Sequence, residues 1–252
     1  MRGPRVAVAL DYSSADDARR FVANVSPERC RLKVGLELYT TTGPAFVREL
    51  VDRGFGVFLD LKFHDIPNTV ERACRQAARL GVEMLTVHCL GGRAMLEAAR
   101  RGVSEERSPY AREEGRPDER SGFGVLITRP KVLGVTLLTS LSDDDAPEIG
   151  LRENAAASAL ALAELAHAAG ADGVVCAPTE VQALRERFGK EFLLVTPGIR
   201  PAGTQSDDQQ RVLTPSEAIA RGADLLVIGR PITRTDDPRA ALDKILDELA
   251  GR

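Results

Sequence analysis

The feature that most constrains the fold is a regular alternation of short apolar runs and amphipathic segments along the whole chain. Eight runs rich in Val and Leu occupy residues 5–11, 30–35, 56–62, 83–89, 132–138, 172–177, 192–198 and 224–229. Nearly continuous apolar runs of this length are typical of parallel strands buried on both faces. Helix-like segments alternate with them at residues 15–25, 44–53, 68–80, 92–101, 154–169, 179–188, 215–221 and 238–250. Eight strand–helix units in 252 residues predict an α/β protein, a single-domain (β/α)8 TIM barrel.

An open, doubly wound sheet is the alternative architecture. Such a sheet usually carries a glycine-rich turn after its first strand, where a dinucleotide binds. The first apolar run here ends in ALDYSS (9–14), which contains no G-x-G-x-x-G pattern. The sequence also contains no P-loop and no G-x-S-x-G elbow. These features favour the closed barrel.

Composition disfavours nucleic acid and membranes as partners. The formal net charge is −3, aromatic residues make up 4% of the chain and Trp is absent, so neither a basic field nor a base-stacking surface is indicated. The Ala-rich stretch 155–171 contains Glu164 and His167 and is typical of a packed helix, not a membrane span. No C-x-x-C pair occurs among Cys30, Cys74, Cys89 and Cys176. Scattered cysteines and the short N-terminal apolar run predict a cytoplasmic protein.

One segment interrupts the strand–helix rhythm. Residues 102–124 are dense in Glu, Arg, Gly and Pro and lie between the fourth helix and the fifth strand. In a barrel, this connection belongs to the N-terminal face, opposite the face that carries chemistry. The segment is therefore predicted to be a charged, solvated insertion within the single domain.

Charged and hydroxyl residues recur where the predicted strands end, and the active site of a barrel is built at those ends. The third strand, within LDLKFHDIPNTV (59–70), carries Asp60, Lys62 and Asp65. Polar residues at the ends of other strands are Asp11, Lys33, Thr139, Ser140, Arg200 and Arg230. Together they predict a ring of polar groups around one mouth of the barrel.

The Asp-Lys-Asp arrangement of the third strand predicts a protonated lysine in a pocket. Side chains alternate along a strand, so Asp60 and Lys62 share the face that points into the barrel. Opposite charges about 4 Å apart interact by roughly 4 kcal/mol at an effective dielectric near 20, so carboxylates at Asp60 and Asp65 favour the ammonium form of Lys62. A protonated lysine suits proton donation better than Schiff-base formation. A purely structural buried ion-pair network is the alternative interpretation.

A phosphate site is predicted after strands 7 and 8, where barrels often bind phosphate. PGIRPAG (197–203) and IGRPI (228–232) each provide an arginine and a glycine at those positions. The polar segment 202–211 between them is either an ordinary surface loop or a lid over the phosphate, with Gln209 reaching the ligand. His64 and His88 are expected to be hydrogen-bonded structural residues, because no third ligand at metal-like spacing accompanies them.

Several motifs, in order along the chain, resemble the orotidine 5′-phosphate decarboxylase family of the bacterial type. They are VALDY (8–12), RLKVG (31–35), FLDLKFHDIPNTV (58–70), VTLLTS (135–140), DGVVC (172–176), LVTPGIRP (194–201) and VIGRPIT (227–233). The resemblance implies a TIM barrel that converts orotidine 5′-phosphate to UMP and CO₂, the last step of de novo UMP synthesis. It also implies that neither a metal nor an organic cofactor is needed.

The resemblance further implies a role for each matching residue. Lys62 is the proton donor to C6, Asp60 lies near the departing carboxylate, and Lys33 and Asp65 complete an alternating charge network. Substrate contacts are implied for Asp11 and Lys33 at the ribose, Thr139 and Ser140 at the pyrimidine, and Arg200, Gln209, Gly229 and Arg230 at the phosphate. A homodimer is implied, with Asp65 and Thr69 reaching the partner's site.

Two rival functions remain open at this stage. The shorter D-x-K-x-x-D pattern is shared with magnesium-dependent decarboxylases or aldolases that act on sugar phosphates. A non-catalytic nucleotide-binding protein could also retain the pocket. The longer DLKFHDIPNT motif and the paired arginine loops favour the decarboxylase.

Overall fold

The computed structural model describes residues 3–104, 129–201 and 213–251, and these form a closed parallel barrel. Each strand pairs in parallel with the next one along the chain, and the eighth pairs with the first. The strands are β1 (Val6–Ala9), β2 (Arg31–Gly35), β3 (Val57–Phe63), β4 (Met84–His88), β5 (Lys131–Val135), β6 (Gly173–Val175), β7 (Leu193–Thr196) and β8 (Leu225–Ile228). The predicted barrel is confirmed.

Helices follow the strands around the barrel. Those in the described part of the chain are α1 (Ala15–Val22), α2 (Leu36–Asp52), α3 (Pro67–Arg79), α4 (Gly92–Ser104), α5 (Asp145–Glu148), α6 (Ala155–Ala168), α7 (Val181–Phe188), α8 (Pro215–Ala220), α9 (Arg230–Thr233) and α10 (Pro238–Leu249). All eight predicted helical segments are present. The short α5 and α9, which follow β5 and β8, were not predicted. None of these helices has the length and apolar character needed to cross a membrane.

Helix α2 begins earlier than the predicted range of 44–53. It starts at Leu36 and is interrupted at Gly43, where φ is 66°. The first part contains three consecutive threonines, which are weak helix formers because their χ1 freedom is restricted. The segment is nevertheless helical, and the Thr42 hydroxyl donates to the Leu38 carbonyl one turn earlier at 2.6 Å.

Helix α4 also extends further than expected, which moves the start of the insertion. The helix continues through Ser104, whereas the insertion was predicted to begin at residue 102. Gly102 is buried against α3, where an added Cβ would lie 2.3 Å from the Glu71 carbonyl oxygen. This close helix–helix packing explains why the helix continues into the charged stretch. Residues 105–124 of the predicted insertion lie outside the described residues.

The apolar core has two layers, as expected for a barrel. The larger layer lies between the sheet and the helices and includes Leu32, Leu59 and Phe46. The smaller layer fills the barrel interior, with side chains from alternating strand positions: Ala7, Ala9, Phe58, Met84, Leu133, Leu193, Val195, Leu225 and Val227. Because this apolar plug closes the interior, a ligand can enter only at the mouth of the barrel.

The N-terminal face of the barrel contains ion pairs that tie neighbouring strands together. Asp172, just before β6, accepts a hydrogen bond from the backbone N–H of Val132 at 2.8 Å. It also forms ion pairs with Arg129 at 2.8 Å and Arg100 at 3.2 Å. Burial raises the pKa of Asp172, but these hydrogen bonds and cations outweigh burial, and the net pKa lies below its usual value. In barrels of this kind the N-terminal face contributes to stability, whereas the active site lies at the opposite face.

Candidate active site

A pocket of about 250 Å³ opens at the carboxyl ends of the strands. Eight of the residues predicted from strand ends and loops line it: Asp11, Lys33, Asp60, Lys62, Thr139, Arg200, Gly229 and Arg230. They come from β2 and β3 and from the loops after β1, β5, β7 and β8. Groups far apart in sequence therefore converge at the mouth where barrel chemistry is expected.

Four of these side chains form a line of alternating charge. Lys33 Nζ lies 3.4 Å from Asp11 Oδ1 and 3.5 Å from Asp60 Oδ2. Lys62 Nζ then lies 2.9 Å from Asp60 Oδ1 and 3.0 Å from Asp60 Oδ2. The two inner members, Lys33 and Asp60, have side chains only 11% and 12% exposed, whereas that of Lys62 is 31% exposed. The Asp11–Lys33–Asp60–Lys62 array thus presents an ammonium group to the open end of the pocket.

Asp60 remains ionised at the centre of the array. Burial raises the pKa of its carboxyl group, but attraction to Lys33 and Lys62 opposes burial. Hydrogen bonds from Lys62 and Thr86 act in the same direction, and the net pKa of Asp60 lies below its usual value. A buried, fixed negative charge therefore lies next to the Lys62 ammonium.

The backbone at Lys62 is irregular. Its φ is 49°, the one positive value at a non-glycine position in the described part of the chain. The β3–β4 register shifts here, because Leu59 pairs with Leu85 whereas Phe63 pairs with Val87. A left-handed residue costs about 1–2 kcal/mol. Asp60 and Lys62 both line the pocket, as predicted. However, the strand is bulged at this point, so the regular alternation of side chains that underlay the prediction does not hold here.

Asp60 and Asp65 were both expected to lie beside Lys62 of the same chain. This expectation is wrong for Asp65. Asp65 is exposed, and its Oδ1 accepts a hydrogen bond from the Ile66 N–H at 2.7 Å. The chain turns there to begin α3 at Pro67, which carries Asp65 away from the pocket. Among the described residues, Asp60 is the carboxylate within ion-pair distance of Lys62.

Two other predicted residues, Thr69 and Ser140, do not line the pocket, and a third lies outside the described residues. Thr69 is exposed in the first turn of α3. Ser140 is exposed in the turn after β5, next to Thr139, which does line the pocket. Gln209 and the proposed lid at 202–211 lie outside the described residues. The described residues on either side of that segment are hydrogen-bonded, because the Arg200 N–H donates to the Leu213 carbonyl at 3.0 Å.

Two arginines line the pocket after β7 and β8, and β8 pairs with β1, the strand that leads to Asp11. Arg200 follows β7 and is 9% exposed, and Arg230 follows β8 at the start of α9. In a closed ring of eight strands, β7 lies across from β3, which carries Lys62. Gly229 leaves room for the array, since an added Cβ would lie 3.2 Å from Asp11 Oδ2. The pocket can therefore bind an anionic group on one side and place a second group near Lys62.

The apolar part of the lining was missed from the sequence. The pocket is also lined by apolar residues: Ala9, Phe58, Val135, Leu137, Leu138, Val175, Pro197, Ile199, Val227 and Pro231. The strand positions among them were predicted only as barrel core.

Thr86 was also missed from the sequence. It is fully buried on β4 and is hydrogen-bonded to Asp60 of the array. A threonine within the apolar strand MLTVH is the signal that could have indicated it.

The two histidines near the array stack on each other, with ring centroids 5.3 Å apart. Burial lowers the pKa of His88, and the charges of His64 and Lys62 lower it further, so His88 is neutral at neutral pH. His88 Nδ1 is buried and has no hydrogen-bond partner among the described residues, contrary to the expectation of a hydrogen-bonded ring. In the same part of the chain, no group of three His, Cys, Asp or Glu side chains is arranged to hold a metal ion.

Comparison with known proteins identifies the family. The model of the family described as Orotidine 5′-phosphate decarboxylase / HUMPS family matches residues 4–245. The chain belongs to this family. The resemblance seen in the sequence motifs is thereby confirmed over nearly the whole chain.

Individual relatives of the orotidine 5′-phosphate decarboxylase / HUMPS family agree in sequence and in structure. The chain is 49% identical over 249 residues to an orotidine 5′-phosphate decarboxylase from Vibrio cholerae, covering 99% of this chain and 100% of the relative. It is 48% identical over 250 residues to a protein of the same name from Nitrosococcus oceani, covering 99% of both chains. A crystal structure of orotidine 5′-phosphate decarboxylase from Lactobacillus acidophilus matches with a TM-score of 0.80 and 39% identity, covering 98% of this chain and 99% of that one.

Proposed function

We propose that the protein decarboxylates orotidine 5′-phosphate to UMP and CO₂, the reaction that completes UMP synthesis. The observation that carries the proposal is the Asp11–Lys33–Asp60–Lys62 array in one pocket with Arg200 and Arg230. The names of full-length relatives at 48–49% identity support the same reaction. A carboxy-lyase for a phosphorylated nucleotide needs both a charged reaction centre and an anion site, and this pocket has residues for both.

Lys62 is the proposed proton donor. When the bond between C6 and the carboxyl group breaks, the electron pair remains on C6 in an orbital in the plane of the ring. The π system cannot delocalise that pair, so a fixed positive charge must stabilise it. The Lys62 ammonium supplies this charge and then transfers a proton to C6, which gives UMP and a neutral amine that solvent reprotonates. This mechanism uses groups of the chain and assigns no role to a metal or an organic cofactor.

Asp60 and Lys33 hold the Lys62 ammonium in place before the substrate arrives. Asp60 contacts Lys62 with both carboxylate oxygens, while Lys33 balances the charge of Asp60 from the other side at 3.5 Å. Because these charges are fixed, little reorganisation is needed when charge develops on C6. Asp60 is also proposed to lie near the departing carboxylate, and Asp11 and Lys33 to contact the ribose.

The remaining contacts are assigned by position in the pocket and by family resemblance. Arg200, Gly229 and Arg230 are proposed to hold the phosphate after β7 and β8, together with Gln209. Thr139 and Ser140 are proposed to contact the pyrimidine edge. Phe58, Val135 and Val175 provide apolar surface in the same pocket, which suits the flat faces of a base.

A homodimer with shared sites is proposed, with Asp65 and Thr69 serving the partner's pocket. Asp65 and Thr69 are exposed and do not line the pocket of their own chain. Around them, large apolar side chains are exposed after neighbouring strands: Leu36 is 58% exposed, Ile66 67% and Leu90 42%. An apolar surface of this kind at the mouth of the barrel supports association with a second copy.

The proposed compartment is the cytoplasm. All four cysteines are free and buried. Burial raises the pKa of the Cys30, Cys74 and Cys89 thiols to about 12. Buried, unpaired thiols are consistent with a reducing environment such as the cytoplasm.

The direct test of the function is conversion of orotidine 5′-phosphate to UMP and CO₂ by the purified protein. Substrate-dependent release of CO₂ together with formation of UMP would support the proposal. A protein that binds UMP but releases no CO₂ would instead be a nucleotide-binding protein without this activity.

Replacing Arg230 with alanine tests the phosphate site. One charge-assisted contact to the phosphate is lost, so we expect KM for orotidine 5′-phosphate to rise about 10- to 100-fold, with a smaller decrease in kcat. Steady-state kinetics of Arg230→Ala and of a control, Arg239→Ala, measure the effect, since Arg239 is exposed on α10. An unchanged KM in Arg230→Ala would argue against a phosphate contact at this position.

A further inference from the structure

We infer that Thr86 is a positioning residue for the reaction: its side-chain hydroxyl fixes both the backbone of Lys62 and the carboxylate of Asp60. Thr86 lies on β4, is fully buried and does not line the pocket. Its role is therefore indirect, through the two charged residues of β3. The consequence for catalysis rests on the proposed function, whereas the structural role does not.

The hydroxyl takes the place of backbone pairing that the bulge removes. Leu59 pairs with Leu85 and Phe63 with Val87, so three residues of β3, 60–62, lie opposite Thr86 alone. At this point the Lys62 N–H donates to Thr86 Oγ1 at 2.9 Å. A buried N–H without a partner is strongly unfavourable, and here a side chain supplies the acceptor.

The same hydroxyl also sets the direction of the Asp60 carboxylate. Thr86 Oγ1 donates to Asp60 Oδ1 at 3.0 Å. Because the oxygen accepts from Lys62 and its single proton goes to Asp60, both hydrogen bonds are satisfied with defined polarity. Asp60 Oδ2 remains oriented toward Lys33 at 3.5 Å, and both carboxylate oxygens contact Lys62. One buried oxygen thus connects the strained backbone of Lys62 to the charge that holds its ammonium group.

The left-handed backbone of Lys62 makes this support necessary. Lys62 has φ 49° without the freedom of glycine, so surrounding contacts must hold it there. Loss of the Thr86 acceptor removes a hydrogen bond that stabilises this backbone conformation. If the backbone of Lys62 changes conformation, the direction of the Lys62 side chain changes with it. A small displacement of a reacting group is enough to slow a reaction by about 100-fold.

The test compares Thr86→Val, which keeps the shape and removes the hydroxyl, with Thr86→Ser, which keeps the hydroxyl. We expect Thr86→Val to lower kcat about 10- to 100-fold with KM changed much less, because phosphate contacts remain. Thr86→Ser should stay within about threefold of wild type. The matched control is Thr196→Val, the same change at a fully buried threonine of β7 whose hydroxyl contacts Cys176 and not the array.

Two measurements on the ligand-free protein are independent of turnover. Selective ¹³C labelling of Asp follows the titration of Asp60, which is surrounded by Lys33, Lys62 and Thr86, with Asp11 and the His64–His88 pair beyond. Loss of the Thr86 hydrogen bond destabilises the ionised carboxylate, so the Asp60 pKa should rise in Thr86→Val and not in Thr196→Val. Hydrogen exchange at the Lys62 amide should become faster in Thr86→Val only.

The outcomes separate the two proposals. If Thr86→Val keeps wild-type kcat, Asp60 titration and Lys62 exchange, the positioning role is wrong. A Thr86→Ser variant as slow as Thr86→Val would also overturn it, because the hydroxyl would then not be the active feature. If Thr86→Val does not fold, Thr86→Ala compared with Thr86→Ser makes the same distinction. If the wild-type protein does not convert orotidine 5′-phosphate, the proposed function fails, and the two ligand-free measurements still decide the role of Thr86.

Discussion

Replacing Lys62 with alanine is expected to abolish nearly all turnover while UMP still binds. Lys62 is proposed to supply both the fixed positive charge and the proton, so kcat should decrease on the order of 10,000-fold or more. The contacts proposed for ribose and phosphate lie on other strands and remain intact, so UMP affinity should change by no more than about tenfold. Steady-state kinetics and calorimetric titration with UMP measure the two effects.

The matched control for Lys62→Ala is Lys244→Ala, since Lys244 is exposed on α10, away from the pocket. This variant should retain wild-type kcat and UMP affinity. Equal thermal stability of the two variants would show that loss of activity does not come from unfolding. Normal turnover by Lys62→Ala would contradict the assignment of the proton donor.

Replacing Asp65 with asparagine is expected to lower kcat/KM about 100-fold, although Asp65 lies outside the pocket of its own chain. Its Oδ1 accepts the Ile66 N–H at 2.7 Å, and an asparagine oxygen can keep this hydrogen bond. The change therefore removes the charge with little effect on the start of α3. Asp247→Asn, an exposed position on α10, is the matched control and should behave as wild type.

Mixing the two impaired variants, Lys62→Ala and Asp65→Asn, tests whether sites are shared between subunits. If Lys62→Ala and Asp65→Asn subunits assort at random, half of the dimers are heterodimers, and one of the two sites in each has both residues intact. The mixture should then recover about a quarter of wild-type activity. A mixture that shows proven subunit exchange but no recovery would place both residues in the same chain's site.

The sequence predicted the barrel because its physical cause is local. Parallel strands buried on both faces require nearly continuous apolar runs, and all eight runs are strands in the structure. The start of α2 was missed because consecutive threonines are weak helix formers, and here their hydroxyls bond to the preceding turn. The end of α4 was missed because a charged stretch with glycine is typical of a loop, whereas Gly102 is held by close packing on α3.

The polar part of the site was also predictable, because barrel strands end at one mouth. Asp11, Lys33, Asp60 and Lys62 do converge there. The left-handed backbone of Lys62 was not predictable, because the hydrogen bond that its N–H makes is to Thr86, which is 24 residues away in sequence. Local spacing also suggested that Asp65 flanks Lys62, but Pro67 begins α3 and turns the chain away. Contacts that depend on the tertiary structure, such as the hydrogen bond between Lys62 and Thr86, could not be predicted from local sequence patterns.

The most direct test is an assay of the purified protein with orotidine 5′-phosphate in excess EDTA, following the change in absorbance as UMP forms. We expect full activity, unchanged by added magnesium, because the charge that stabilises the reaction comes from Lys62 and its array. Activity that appears only after magnesium is added would contradict this mechanism. It would favour the alternative of a magnesium-dependent decarboxylase or aldolase of the kind that acts on sugar phosphates. Absence of turnover under both conditions, with UMP still bound, would contradict the proposed decarboxylation itself.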